Sequence, residues 1–203
     1  MSMFLMLSLS LGAPSFAGAP ATTAEVPEAA AALPQGLHIS LEQAVDAPAS
    51  EVWGLLAHDY VSINDWSSVV LASREMLESD LPEGFAADAD APVIGRIVTS
   101  GFGDVSETLV MYDEDEKTFT FRAGGLPGFI AYSQNTHAVL DMGDGTSLIT
   151  YDIYLVPKGP MRLMKGKLER RFQEVLGHHL EEAKDYIETG ELSQEKQAQL
   201  SAI

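Results

Sequence analysis

Apolar and polar residues alternate in short runs from Leu37 to Pro157, and a helical period takes over beyond Pro160. Ile39, Leu41, Gln43 and Val45 keep the two-residue period of a half-buried strand. Ala47-Pro48-Ala49-Ser50-Glu51-Val52-Trp53 then opens a helix, with proline tolerated in its first turn. A second short helical turn is predicted at 62–66 and a second strand at 69–77. Strands three and four flank Gly101-Phe102, and strand five covers 118–123 with Phe119 and Phe121 on one face. Strands six and seven flank Asp144-Gly145, a strong hairpin signal. A long helix follows from Pro160 to Thr189, stopped by Gly190. Met161, Met164, Leu168, Phe172, Val175, Leu176, His179, Ala183 and Ile187 recur at helical spacing in it and turn one stripe inward.

The two hairpins are legible residue by residue. A two-residue turn at Gly101-Phe102 pairs Ser100 with Gly103, Val98 with Val105, Arg96 with Glu107 and Ile94 with Leu109. Ile94, Val98, Val105, Leu109 and Met111 then make one face apolar except for Arg96 opposite Glu107. The other face, with Ser106, Thr108 and Tyr112, reads as solvated. A charged pair on a core face costs desolvation that its attraction barely offsets. It marks either the polar end of a ligand cavity or a cross-strand pair at a sheet edge that reaches water by its long stems. A two-residue turn at Asp144-Gly145 sets Ala138 opposite Tyr151, Leu140 opposite Ile149 and Thr136 opposite Ile153. Tyr132, Gln134 and Thr136 then share the inner face with Tyr151, Ile153 and Leu155, while His137 lies outside, opposite Asp152.

Charge and composition narrow the partners. A chain of 203 residues suits one domain with appendages. Its 12 basic and 30 acidic residues give a net charge of −18, which argues against nucleic acid as a partner and against broad docking on anionic membranes. The lack of cysteine excludes disulfides, thiolate metal sites and cysteine nucleophiles. His178-His179-x-Glu181 is no metal site, since adjacent histidines point about 100° apart on a helix; neither metal nor cofactor is expected. Residues 3–11 form a short apolar run followed by Pro14 and small residues, and 1–19 read as a signal peptide that lacks a basic n-region. Export to the periplasm is expected, with a cytoplasmic protein as the alternative. The run is too short to span a bilayer, so no stable membrane anchor is expected.

Residues 20–36 read as an Ala/Pro-rich tether, 37–190 as the domain and 191–203 as a polar, peripheral tail. The segment 79–92 carries four acids (Asp80, Glu83, Asp88, Asp90) and no base. Half of all basic residues, Lys158, Arg162, Lys165, Lys167, Arg170 and Arg171, crowd fourteen positions at the start of the long helix, where they oppose its dipole. They serve either an anionic head group or negatively charged partner surface, or the protein's own carboxylates.

The order of strand, two short helices, six strands and one long amphipathic helix is an α+β arrangement. Ala47 to Trp53, Trp66, Gly95-Arg96, Glu107-Thr108-Leu109, Phe119-Thr120-Phe121-Arg122, Tyr132 and Gly143-Asp144-Gly145-Thr146, in this order and spacing, resemble the START/Bet v 1-like (SRPBCC) superfamily. The likeness is to its polyketide cyclase/dehydrase and lipid-transport branch and covers roughly 37–187. Two departures stand out: many relatives follow the tryptophan with His-Pro where this chain has Ser67-Ser68, and the segment 79–92 is long.

The resemblance implies a helix-grip fold, a seven-stranded antiparallel sheet wrapped around the C-terminal helix, with a deep and mostly apolar cavity between them. Trp66, Arg96, Glu107, Phe121, Tyr132, Gln134, Tyr151, Met164, Phe172 and His179 are its candidate lining. The expected function is that of an exported carrier or sensor of a small hydrophobic or amphipathic molecule. One alternative is a cyclase or aromatase in which Glu107 acts as base and Arg96 holds an enolate oxygen. The other is a periplasmic accessory protein that docks onto another exported protein through Arg162, Lys165, Lys167, Arg170 and Arg171.

Overall fold

The computed structural model describes residues 36–101 and 103–202, so the expected signal peptide and nearly all of the tether lie outside the described residues. Seven strands, β1 (Leu37–Val45), β2 (Ala72–Glu75), β3 (Gly95–Ser100), β4 (Gly103–Asp113), β5 (Thr118–Gly124), β6 (Ile130–Asp141) and β7 (Ser147–Pro157), form one antiparallel sheet. Its order is β1-β7-β6-β5-β4-β3-β2. Helix α1 (Ala49–Trp53) runs on as a π-helical turn, Gly54–His58, and then a 3-10 stretch, Tyr60–Asp65. A 3-10 turn, Gly159–Met164, leads into the long helix α2 (Lys165–Thr189), and α3 (Gln194–Ser201) ends the chain.

The β3–β4 hairpin has the register its turn dictates, with Arg96 opposite Glu107 and Val98 opposite Val105. A bulge between Leu109 and Met111 then changes which residues face the core. Beyond it Tyr112 faces inward, opposite Phe119 and 5.6 Å from the Trp53 ring, whereas Met111 pairs with Thr120 on the outer face. This reverses the assignment that simple alternation gives these two residues. Ser106 and Thr108 do lie on the outer face, yet they are buried rather than solvated. The acidic segment and its approach cover them: the Thr108 hydroxyl donates to Met76 Sδ at 3.7 Å, and Asp88 accepts from the Tyr112 amide at 2.9 Å. The fit is tight, since a Cβ on Gly124 would stand 2.4 Å from Ser106 Oγ and 2.9 Å from Pro82 Cγ.

The β6–β7 hairpin departs from expectation by one residue. Its loop has five members, Met142 to Thr146, closed by the Met142 amide donating to the Thr146 carbonyl at 3.1 Å. Gly143 and Gly145 take φ of +82° and +90°, which glycine adopts without strain. Asp141 therefore pairs with Ser147, Val139 with Ile149 and His137 with Tyr151. A one-residue shift turns every side chain of a strand over. His137 is thus inside, and Tyr132, Gln134 and Thr136 are outside.

Helix α2 packs over the β1 side of the sheet and buries Leu168, His179, Leu180 and Ala183. Gly190, at φ +72°, ends it as expected, its amide donating to Tyr186. The first half is held less firmly, with Phe172, Val175 and Leu176 half-buried. Residues Gln194–Ser201, read above as a peripheral tail, instead form a docked helix. Ser193 caps it by accepting from the Lys196 amide at 3.1 Å, and Gln199 Nε2 donates to the Ser68 carbonyl at 3.2 Å.

Candidate functional site

The irregular stretch after α1 supplies one wall of an internal site. Leu55, Leu56, Tyr60, Ile63 and Trp66 from this wall, Arg96, Phe119, His137 and Tyr151 from the sheet, and His179 from α2 line a void of about 10 Å³. Arg96 donates through Nε to Glu107 Oε2 at 2.7 Å and through Nη1 to the Tyr60 carbonyl at 2.5 Å. Its guanidinium also lies 4.0 Å from the centre of the Tyr60 ring. The two charged side chains are only 5% and 15% exposed, so the pair is internal rather than a sheet-edge pair reaching water.

Two imidazoles complete the polar content. His137 stacks on Tyr151 at 3.5 Å and 11°, with Phe119 and Phe121 rings at 5.0 and 5.3 Å. His179 stacks on Trp66 at 4.7 Å, and its Nδ1 lies 2.8 Å from Ser67 Oγ. Burial, helped by the Arg96 charge and by His178, depresses His179 to about 3. Burial first, then His179 and Arg96, drive His137 well below the usual imidazole range. Burial raises Tyr60 and Tyr151 above the usual phenol range against the pull of Arg96. At neutral pH the site therefore holds neutral rings around one internally compensated ion pair.

Two buried polar atoms of lining residues, Trp66 Nε1 on the irregular wall and Tyr151 Oη on the sheet, have no hydrogen-bond partner among the described residues. Behind Trp66 the network is complete. Glu182 accepts from the Ser68 amide at 2.9 Å and from the Ser193 hydroxyl at 2.5 Å, and its other neighbours are Ser67 at 3.4 Å and His178 at 3.6 Å. This couples the Ser67-Ser68 dipeptide to both C-terminal helices.

Of the residues singled out from sequence, Trp66, Arg96, Tyr151 and His179 converge on the void. Phe121 is buried beside His137, and Glu107 reaches the site only through Arg96. Tyr132 and Gln134 do not join them: they are bonded to each other at 2.7 Å on the outer face, where Tyr132 also lies 5.1 Å from Arg122. Phe172 packs half-buried on the core, and Met164 is 41% exposed on the turn before α2.

Residues 37–185 match the family described as polyketide cyclase / dehydrase and lipid transport. The chain belongs to this family. No curated protein matches it. Among solved structures it resembles XoxI from Bacillus cereus, at TM-score 0.59 and 16% identity over 74% of this chain and 94% of that one. A START superfamily protein from Mycobacterium smegmatis matches at TM-score 0.57 and 14% identity, over 75% and 98% of the two chains. The Zhui aromatase/cyclase from Streptomyces sp. R1128 matches at TM-score 0.57 and 12% identity, over 78% and 100%. At such identities the likeness concerns the fold, and it agrees with the helix-grip arrangement that the family resemblance implies. Within this family fold, sequence reasoning missed Leu55, Leu56, Tyr60, Ile63, Phe119 and His137 as lining. His137 was hidden by the β6–β7 register, and Leu55, Leu56, Tyr60 and Ile63 by wall segments whose irregular turns follow no single period; Phe119 was placed on the same strand face as Phe121 but not carried into the lining.

Proposed function

We propose that this member of the polyketide cyclase / dehydrase and lipid transport family is a carrier or sensor of a small, uncharged, largely apolar molecule with one hydrogen-bond acceptor. The observation that carries the proposal is the pair of buried, unmatched polar atoms, Trp66 Nε1 and Tyr151 Oη, on two side chains that line the same void as Arg96. Folded proteins pair nearly all such atoms, and each one left unmade costs about 1–3 kcal/mol. A carbonyl or hydroxyl oxygen accepting from both would recover that cost. The Arg96 charge is balanced by Glu107, so the wall favours an uncharged ligand over a carboxylate. A void of about 10 Å³ admits roughly one water, whereas organic ligands fill on the order of 300 Å³ or more. Binding therefore requires the wall to move. The π-helical turn, the 3-10 stretch and the break at Ser62 (φ −84°, ψ 16°) make Gly54–Asp65 the segment suited to do so.

An enzymatic role as a cyclase or aromatase has less support. His179, at about 3, is a poor base at neutral pH, and His137 is shifted the same way. Glu107 faces Arg96 and is not part of the void wall. Export is part of the proposal, supported by the apolar run at 3–11, and sequencing the N-terminus of the protein recovered from its host would test it.

The decisive experiment is native mass spectrometry of the protein purified from its host, followed by denaturing extraction. A stoichiometric neutral molecule is expected, with Tyr151→Phe and Trp66→Phe each weakening its retention about fivefold to tenfold. An empty protein that also fails to retain apolar fluorescent probes would overturn the proposal. So would a ligand bound equally well by both variants.

A further inference from the structure

Six of the twelve basic residues of a chain with net charge −18 lie between Lys158 and Arg171. Lys158, Arg162, Lys167, Arg170 and Arg171 are exposed, and Lys165 is half-buried. Arg170 and Arg171 reach Glu174 on their own helix at 3.8 and 3.6 Å, with all three side chains more than half exposed. Such pairs are worth little and exchange readily for other anions. Two acids of the acidic segment are occupied elsewhere: Asp80 is held by Arg74 at 2.7 Å, and Asp88 by the Tyr112 amide. Lys158, Arg162, Lys167, Arg170 and Arg171 are thus presented to solvent on an otherwise acidic molecule.

What selects among anionic partners is the apolar content of the same stretch. The 3-10 turn Gly159–Met164 packs chiefly on the start of α2 and presents Leu163 at 92% exposure and Met164 at 41%. Two apolar side chains are too few to form the apolar centre of a standard protein interface, which as a whole buries roughly 800 Å² on each partner. They do suit insertion between lipid head groups, with the neighbouring cations at the level of the phosphates. The remaining carboxylates oppose contact anywhere else. At physiological salt, screening over about 8 Å limits their repulsion once this turn is seated.

We propose that the turn Gly159–Met164 and the first turns of α2 form a peripheral docking surface for an anionic lipid bilayer. Leu163 and Met164 insert, and Lys158, Arg162 and Lys167 meet the phosphates. The contact is local and reversible, since no helix among the described residues is long and apolar enough to cross a membrane. It is independent of what the internal void binds.

Sedimentation of the purified full chain with phosphatidylcholine vesicles, with and without one-third phosphatidylglycerol, tests this directly. Binding to the anionic vesicles alone is expected at low salt, and its loss is expected at high salt. Arg162→Glu with Lys167→Glu should weaken it at least about 25-fold, at about fivefold per charge removed, and Leu163→Asp about tenfold. All three side chains are exposed, so unchanged melting temperatures would show that the variants fold. Equal binding to both vesicle types, or binding untouched by the substitutions, would overturn the proposal and assign the contact to another part of the chain. Failure to bind anionic vesicles, with salt-sensitive capture of an acidic protein instead, would overturn it in favour of a protein partner.

Discussion

Arg96 and Glu107 illustrate how much one residue pair can carry. Each has given up water, and the return is an Arg96 guanidinium held by three groups at once: Glu107, the Tyr60 carbonyl and the Tyr60 ring. That fixed cation then adds to burial, the larger cause, in keeping His137 and His179 neutral. The consequence is measurable. A histidine near 6.5 in the unfolded chain and near 3 in the folded one makes the unfolded state bind more protons between those values. Stability should therefore be flat above pH 6.5 and fall as pH drops below it, by up to about 1.4 kcal/mol per pH unit for each such histidine. Urea unfolding between pH 7 and about pH 5.5, where few carboxylates titrate, reads mainly this contribution. His179→Gln should remove roughly half of the slope left by the two histidines, and an unaltered slope would mean that His179 is protonated in the folded state.

Elements differ in how much of their geometry is local. The β3–β4 hairpin was legible because a two-residue turn fixes its register and an opposed Arg–Glu pair agrees with it. The β6–β7 hairpin was not, because Asp144-Gly145 is only part of a loop running from Met142 to Thr146. Two glycines at positive φ fit such a loop as well as a tight turn, and the choice between them moves His137 from one face to the other. The bulge at Leu109 to Met111 had no local signal either, since it serves the packing of Tyr112 on Trp53. Helix α3 was illegible for a related reason: its burial is polar, through Lys196, Ser193 and Gln199, and no apolar stripe announces it. Ser193 should then matter beyond its size, as both the N-cap of α3 and a donor to buried Glu182. Ser193→Ala is expected to cost about 1–2 kcal/mol by urea unfolding and to raise amide exchange in α3 ahead of the rest of the chain. A loss of a few tenths of a kcal/mol, with exchange unchanged, would show that α3 docks without this cap.

At the scale of the whole molecule the sheet is the fixed body and the opposing wall the part that can yield. β5, β6 and β7 bury Phe119, Val139, Ile149, Ile153 and Leu155 nearly completely. The second half of α2 is anchored as firmly, through Leu180 and Ala183 and through the Glu182 bonds that tie it to Ser68 and Ser193. Across from them, the first half of α2 leaves Phe172, Val175 and Leu176 half-buried, and the wall from Gly54 to Asp65 is built from π and 3-10 turns with imperfect hydrogen bonding. Local opening free energies follow such differences in buried contact for α2 and in hydrogen-bond regularity for the wall. Amides in 54–66 and 165–176 should exchange at least about tenfold faster than those in β5–β7 and 179–187, a gap of about 1.4 kcal/mol or more in opening free energy. Hydrogen exchange read by mass spectrometry on the free protein resolves these segments. A graded pattern would give a small molecule a route to Trp66 and Tyr151 that leaves the sheet intact. Uniform protection would leave global unfolding as the way in, and a carrier that must unfold to load would exchange its cargo no faster than it unfolds.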